Sequence, residues 1–496
     1  MIRLTRWQLV RSLLAVLLIV LSWWGIIVAQ NGLTVKFFDR EAVPLLYIAP
    51  KHAQSAPGVL VAHGFAGSKQ LMLGYGHVLA HAGYAVMLWD FDGHGANPAP
   101  LGGFDGTSLQ TNLQVALRAL VDQPEVDATR LALLGHSMGG SAVLSAGIDD
   151  VQQFAATIAV SSAGRNVTPQ APRNLQLQVG AWEGRLIPYA QQLLAQAGGT
   201  NTQFATGKAR EVVIVPNVEH ITILFNQVSH QAAQRWLDAT FQKQSTSQYV
   251  DRRMIWYFLH LVGWLLALGV IAPKLAVLLP ADGSNNGSSV KVSTVRGLIG
   301  LVGSAIAAAA GLLLLNPIVN LPSLGGLQVG GAVGIWFLIA GVVWLAVLQR
   351  LPRPSVQTVG FGIAIFALLW VAFGTMAQVV WLQWWLILPR LKLWLPIAIA
   401  CFPWFLASGI VQQNISTKGR LAWWLGQSIV LIGGFLLVLL VLPELGFMFL
   451  LLPLFPPLIG LLSFIAASLN EAWIYSLSSA LFFAWLLAAG FPLSVS

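Results

Sequence analysis

The stretch Leu131-Ala-Leu-Leu-Gly135-His136-Ser137-Met138-Gly139-Gly140 sets a serine between glycines two positions to either side. A β-like run precedes it and a helical run follows. In that context Gly-x-Ser-x-Gly makes a turn tight enough to hold the hydroxyl clear of the backbone, at the positive end of the following helix. The pentapeptide alone recurs by chance, but the strand–turn–helix setting makes it a strong signal. A serine so placed can attack an acyl carbon. Other polar clusters also follow short β-like runs: His63-Gly64-Phe65, Asp90-Phe91-Asp92-Gly93-His94-Gly95, Ala181-Trp182-Glu183 and Val218-Glu219-His220. In an open parallel sheet such clusters gather in one crevice at the carboxyl ends of the strands.

The elements that must position them lie between about residues 34 and 241. β-like runs at 59–62, 84–89 and 131–134 alternate with helical patterns at 70–82, 107–121 and 138–146. Further β-like runs at 155–161, 175–179 and 211–215 come with helical stretches near 186–197 and 221–241, and 34–38 with 43–48 reads as an entry hairpin. Apolar strands alternating with helices predict a mostly parallel sheet covered on both faces. Such a length suffices for one core.

This segment resembles the α/β-hydrolase superfamily, in its serine esterase and lipase-like branch. The resemblance assigns Ser137 as nucleophile and the backbone N–H groups of Met138 and Phe65 as the oxyanion hole. Asp90-Phe91-Asp92-Gly93-His94-Gly95 looks like the family's Asp-x-x-Gly-His-Gly turn, which is structural in most members. Glu183, three residues past Gly180, stands where the family places its acid, although Asp is the commoner residue there. His220 stands where the family places its base. The resemblance thus implies a Ser137–His220–Glu183 triad working through an acyl-enzyme. Asp149, Asp150 and Glu219 remain alternatives for the orienting acid. His63, His94 and His136 share no ligand spacing, so no metal site or cofactor is expected. Single Cys401 allows neither an intrachain disulfide nor a cysteine metal site.

The rest of the chain is of another kind. Of 496 residues 56% are hydrophobic and only 9% charged, with mean hydropathy +0.72. That excludes a wholly soluble chain, a disordered one, or a nucleic-acid binder with a basic surface. The net charge of +9 is unevenly spread: residues 30–250 carry 13 basic and 14 acidic groups, whereas residues 251–496 carry 11 and 4. The excess therefore belongs to the apolar parts, where it reads as a topology signal. Arg3, Arg6 and Arg11 precede an uncharged run at 12–29, read as an uncleaved anchor. Eight apolar stretches follow near 255–279, 297–317, 327–349, 357–379, 393–412, 422–443, 446–468 and 473–491. The Trp-rich stretch 381–389 reads as an interfacial segment or an extension of a neighbouring span. The expected organisation is an anchor at 1–29, an α/β-hydrolase domain at 30–245 and an all-α transmembrane bundle at 251–496.

With the N-terminus cytoplasmic, the joints holding Lys291/Arg296, Arg350/Arg353 and Lys418/Arg420 all fall on the cytoplasmic side, and the hydrolase domain lies outside a plasma (inner) membrane. Arg252-Arg253, Arg390 and Lys392 break this pattern. Between the β-like runs ending near Ser161 and beginning near Leu175 lies only a short connection where lipases often carry a lid. The membrane surface or the helical region is expected to supply that cover. His260, inside an apolar span, is a candidate functional residue. The leading expectation is a membrane-integrated serine hydrolase acting on a lipophilic ester, thioester or amide, whose partners are that small-molecule or lipid acyl substrate and the bilayer. The rivals are an acyltransferase on the same triad, and a membrane transport or scaffold protein carrying an inactive domain.

Overall fold

A computed structural model describes residues 5–102, 106–164, 166–277 and 293–495. Arg3, Lys291 and the polar joint at 282–287 lie outside the described residues. The chain divides into two compact units, one of residues 20–259 with 376–385, the other of residues 1–19, 260–375 and 386–496.

Helix α1 (Arg6–Val28) opens the described chain, and the unit of residues 20–259 is then built on an eight-stranded sheet. Its strands are β1 (Leu33–Arg40), β2 (Val43–Pro50), β3 (Ala56–Ala62), β4 (Ala85–Trp89), β5 (Val126–His136), β6 (Phe154–Val160), β7 (Leu175–Gly180) and β8 (Arg210–Val215). The spatial order is β1-β2-β4-β3-β5-β6-β7-β8. Only the entry hairpin β1–β2 and the β2–β4 pair are antiparallel; β4 through β8 run parallel. Strand order reverses beside β3, because β4 lies on one side of it and β5 on the other. The connections leaving the carboxyl ends of β3 and β5 lead to α2 (Leu73–His81) and α4 (Met138–Asp149) on opposite faces of the sheet, which opens the crevice in which such folds place their chemistry.

Alternation along the strands sorts the core into two layers. Val59 and Val61 of β3, Val86 and Leu88 of β4, and Ala132 and Leu134 of β5 face α2 (Leu73–His81) and α6 (Gln227–Thr240). Leu60 and Ala62, Ala85 and Met87, and Leu131 and Leu133 face α3 (Thr107–Val121) and α4 (Met138–Asp149). Helix α5 (Leu186–Gln196) packs Ala190 and Leu193 against Leu177 and Val179 of β7. A sheet covered on both faces explains why its strands are continuous apolar runs.

Nine helices among the described residues are long and apolar enough to cross a membrane: α1, then spans beginning at Arg253, Thr294, Gly330, Val356, Leu388, Thr417, Pro443 and Ala472. They comprise α7 (Arg253–Val277), α8 (Thr294–Leu315), α9 (Gly330–Leu348), α10 (Val356–Leu369) with α11 (Thr375–Val380), α12 (Leu388–Gln412), α13 (Thr417–Val441), a 3-10 stretch leading into α14 (Phe455–Leu469), and α15 (Ala472–Gly490). One N-terminal and eight later spans is the count the hydropathy predicts. His260 is buried, and its Nε2 meets the carbonyl of Ala372 at 3.0 Å. That carbonyl lies in a π-turn, Trp370–Gly374, where the α ladder is interrupted and a side chain can satisfy what it frees.

Two arginines that break the charge pattern are structural. Arg390 is buried and donates to the carbonyls of Ala488 and Phe491 at 2.6 and 2.7 Å, satisfying the C-terminal end of α15. Arg253 forms a buried two-pronged pair with Asp251 at 2.6 and 2.8 Å. Substituting Asp251→Ala strands that guanidinium and is expected to destabilise the unit that holds the sheet by about 3–5 kcal/mol. The double variant Asp251→Leu/Arg253→Met is expected to recover most of the loss. Denaturant unfolding of both variants in detergent, followed by tryptophan fluorescence, checks this.

Candidate active site

Ser137 sits between β5 and α4 with φ 52° and ψ −115°, outside the regions comfortable for a side-chain-bearing residue. The turn is closed by the N–H of Ser137 bonding the carbonyl of Val160 at 2.9 Å. It also requires the first turn of α4 to lie flat on the end of β3. A Cβ on Gly139 would come within 2.4 Å of the carbonyl oxygen of His63, so only glycine fits. The motif's second glycine is thus a matter of close approach.

From this turn a line of hydrogen bonds runs across the sheet edge. The Oγ of Ser137 lies 3.0 Å from Nε2 of His220, and Nδ1 of His220 lies 2.6 Å from Oε1 of Glu183. His220 comes from the loop after β8, and Glu183 from the turn after β7. The second carboxylate oxygen of Glu183 accepts from the N–H of Gly180 at 2.7 Å and the Oγ of Ser161 at 2.6 Å. Burial by itself would raise the Glu183 carboxyl; the bonds from His220, Ser161 and Gly180 outweigh it and hold the group below its usual range. An ionised carboxylate there fixes the imidazole with Nε2 toward the serine. Of the other acids weighed for this place, Asp149 and Asp150 lie at the far end of α4. Glu219 accepts from the N–H groups of Ile221 and Thr222 at 2.8 Å each, closing its own turn.

The loop after β3 flanks the serine. A Cβ on Gly64 would stand 3.1 Å from Cβ of Ser137, and Phe65 is the next residue. Its half-buried ring meets His94 edge-on at 5.6 Å. Met138 is the first residue of α4, where N–H groups lie ahead of the helix ladder. The loop is braced from behind: the N–H of Lys69 donates to Asp90 at 2.7 Å, its ammonium pairs with the other oxygen of Asp90, and the N–H of Ala96 joins them at 2.8 Å. His63 receives the N–H of Phe91 on Nε2 at 3.1 Å and meets the carbonyl of Gly64 through Nδ1 at 2.7 Å. The imidazole of His136 lies 2.8 Å from the carbonyl of His220 through Nε2, steadying the backbone of that loop. The Asp90 cluster and His136 are therefore braces.

Sequence reasoning missed Ser161. Only its place, at the end of β6 next to β7, hints at it, and a lone serine after a strand carries no spacing signal. Between β6 and β7 the described residues hold no helix or strand. Among the described residues no group of three or more His, Cys, Asp or Glu could hold a metal ion.

Burial lowers the pKa of four histidines of this unit: His77 and His136 to about 3, His63 and His230 in the same direction. Each binds a proton near pH 6.5 only when unfolded, so the folded unit loses stability as pH falls below that value. The slope reaches about 1.4 kcal/mol per pH unit for each such group. Unfolding midpoints in denaturant measured between pH 7.5 and 5 should fall with pH. Replacing His77 with Gln is expected to flatten the dependence.

The family described as "Serine aminopeptidase, S33" matches residues 53–245. Two uncharacterized proteins of Mycobacterium tuberculosis, one from each of two strains, are each 27% identical over 235 residues, spanning 44% of this chain and 82% of theirs. Among solved structures, a dienelactone hydrolase from Anabaena variabilis is 21% identical, covering 42% of this chain and 97% of its own at a TM-score of 0.33. A fungal esterase from Rhizomucor miehei is 14% identical, covering 42% and 84% at a TM-score of 0.34. The matched region coincides with the parallel sheet and the strand–turn–helix at Ser137: this part of the chain has the α/β-hydrolase fold, carried in one polypeptide with helices of membrane-spanning length.

Proposed function

We propose that the protein is a membrane-integrated serine hydrolase that cleaves an ester, thioester or amide of a lipophilic acyl group. The observation that carries this reading is the unbroken line from Glu183 through His220 to the Ser137 hydroxyl. In the reaction His220 takes the proton of Ser137 as its oxygen attacks the carbonyl. Glu183 holds the imidazole in the productive tautomer and stabilises the imidazolium. The N–H groups of Phe65 and Met138 receive the oxyanion. His220 then returns the proton to the leaving group, and water, activated by the same imidazole, releases the acyl chain. The short β6–β7 connection and the exposed Trp182 beside Glu183 favour an extended apolar substrate over a small polar one. In native membranes a fluorophosphonate should label the wild-type chain, and Ser137→Ala should abolish labelling. Glu183→Gln should slow turnover about 10⁴-fold, as loss of the tautomer-setting carboxylate does in serine hydrolases. A folded wild-type chain that resists the probe would return the weight to an inactive domain.

The domain is proposed to face away from the cytoplasm of a plasma (inner) membrane. The positive-inside pattern supports this, and burial of Arg253 and Arg390 in protein contacts removes two of the residues that break it. The chain's only cysteine, Cys401, is buried, which leaves a clean background for an introduced one. At the exposed Lys208, a Lys208→Cys variant should react with a membrane-impermeant maleimide on intact cells. Reaction only after lysis would reverse the orientation.

A further inference from the structure

Residues 376–385 comprise the last turn of the span Val356–Val380 and the start of the joint before the span at Leu388, yet they belong to the same compact unit as the sheet. The segment is well packed there: Met376, Ala377 and Trp384 are fully buried, and the ring of Trp381 meets Tyr257 edge-on at 6.4 Å. Its amides form a closed set. Oε1 of Gln378 accepts from the N–H groups of Trp384 and Trp385 at 2.7 and 3.1 Å, Nε2 of Gln378 donates to Oε1 of Gln383 at 3.3 Å, and Nε2 of Gln383 donates to the carbonyl of Trp385 at 2.9 Å. The same Oε1 of Gln383 accepts from Nε2 of Gln70 at 2.6 Å. Among the described residues it is the one hydrogen-bond partner of the buried Gln70 side chain.

Gln70 sits in the 3-10 turn Lys69–Met72, five residues after Phe65. Between them the chain has little slack. The N–H of Gly67 closes on the carbonyl of Gly64 at 3.1 Å, the N–H of Leu71 closes on that of Ser68 at 2.9 Å, and Ala66 is held at φ 56°. A non-glycine residue at that φ persists only when its surroundings over-determine it. Asp90 grips the loop at Lys69, and Gln383 grips it at the neighbouring residue.

We propose that Gln383 is a positioning residue for the oxyanion hole: through Gln70 it fixes the turn that carries Phe65, so that a segment lying between membrane-type helices is a working part of the catalytic unit. This rests on the serine hydrolase reading above. A hole set slightly out of register should cost part of the roughly 100- to 1,000-fold that loss of a whole donor costs, on the order of tenfold in kcat.

The test uses the full chain in detergent, with p-nitrophenyl butyrate as substrate and a fluorophosphonate as titrant, for wild type, Gln383→Ala, Gln70→Ala and the double variant. The titration endpoint counts folded reactive sites, and its rate reports the oxyanion hole. The expected result is an unchanged endpoint, titration slowed and kcat per site reduced about tenfold, KM unaltered, and a double variant no worse than either single one. A raised KM with kcat per site intact would make the segment a substrate wall instead and overturn the proposal. So would a reduced endpoint with normal kcat per remaining site, which marks a purely structural contact, or no change at all. Wild-type chain left untouched by the titrant would overturn the hydrolase reading itself, and this proposal with it.

Discussion

The backbone at Ser137 turns from strand into helix through a conformation that costs on the order of 1–3 kcal/mol, and the surrounding contacts must repay it. They do so by proximity: the first turn of α4 lies so close to the end of β3 that a methyl group on Gly139 would strike the carbonyl of His63. The same closeness sets the loop after β3 beside the serine and brings Gly64 against it. The geometry of the site and its packing are here one constraint. Had α4 stood an ångström farther off, the turn would relax and the loop after β3 would part from Ser137.

The same device recurs along the sheet edge. Ala66, Ser137, Ser161 and Asn217 all have positive φ, between 47° and 59°, and all lie just beyond the ends of parallel strands β3, β5, β6 and β8. Each turn re-aims the chain as it leaves the sheet, so that a group from each converges on the crevice: the loop bearing Phe65, the hydroxyl of Ser137, the hydroxyl that holds Glu183, and the loop bearing His220. Rigid strands supply the positions, and strained turns supply the directions.

In each of the two units, buried charges are met at short range. Asp90 with Lys69, Asp251 with Arg253, and Arg390 on the carbonyls ending α15 each neutralise a group that burial would otherwise penalise. The last two matter for reading topology, since a charge enclosed by protein does not sort itself across a membrane as a loop charge does.

Local patterns carried most of the fold. Hydrophobic runs and their alternation marked the strands, the helices and all nine spans, because burial acts on each segment through its own side chains. Gly135, Ser137 and Gly139 were legible for the same reason: the turn they make depends on residues a few positions apart. What the sequence could not contain was which strand ends meet. Glu183 and His220 could be pointed to only by resemblance, since their distance from Ser137 is set by β5, β6, β7 and β8 lying side by side. Ser161 and Gln383 left no trace, because each bonds a partner distant in the chain, and Arg253 and Arg390 read as exceptions to the charge pattern until their buried partners appeared. The sequence alone determined which elements exist and which residues stand at their ends. The tertiary structure decided which of those ends share a hydrogen bond, because a contact a few ångströms long across many residues of chain is a property of strand order and packing, not of any segment.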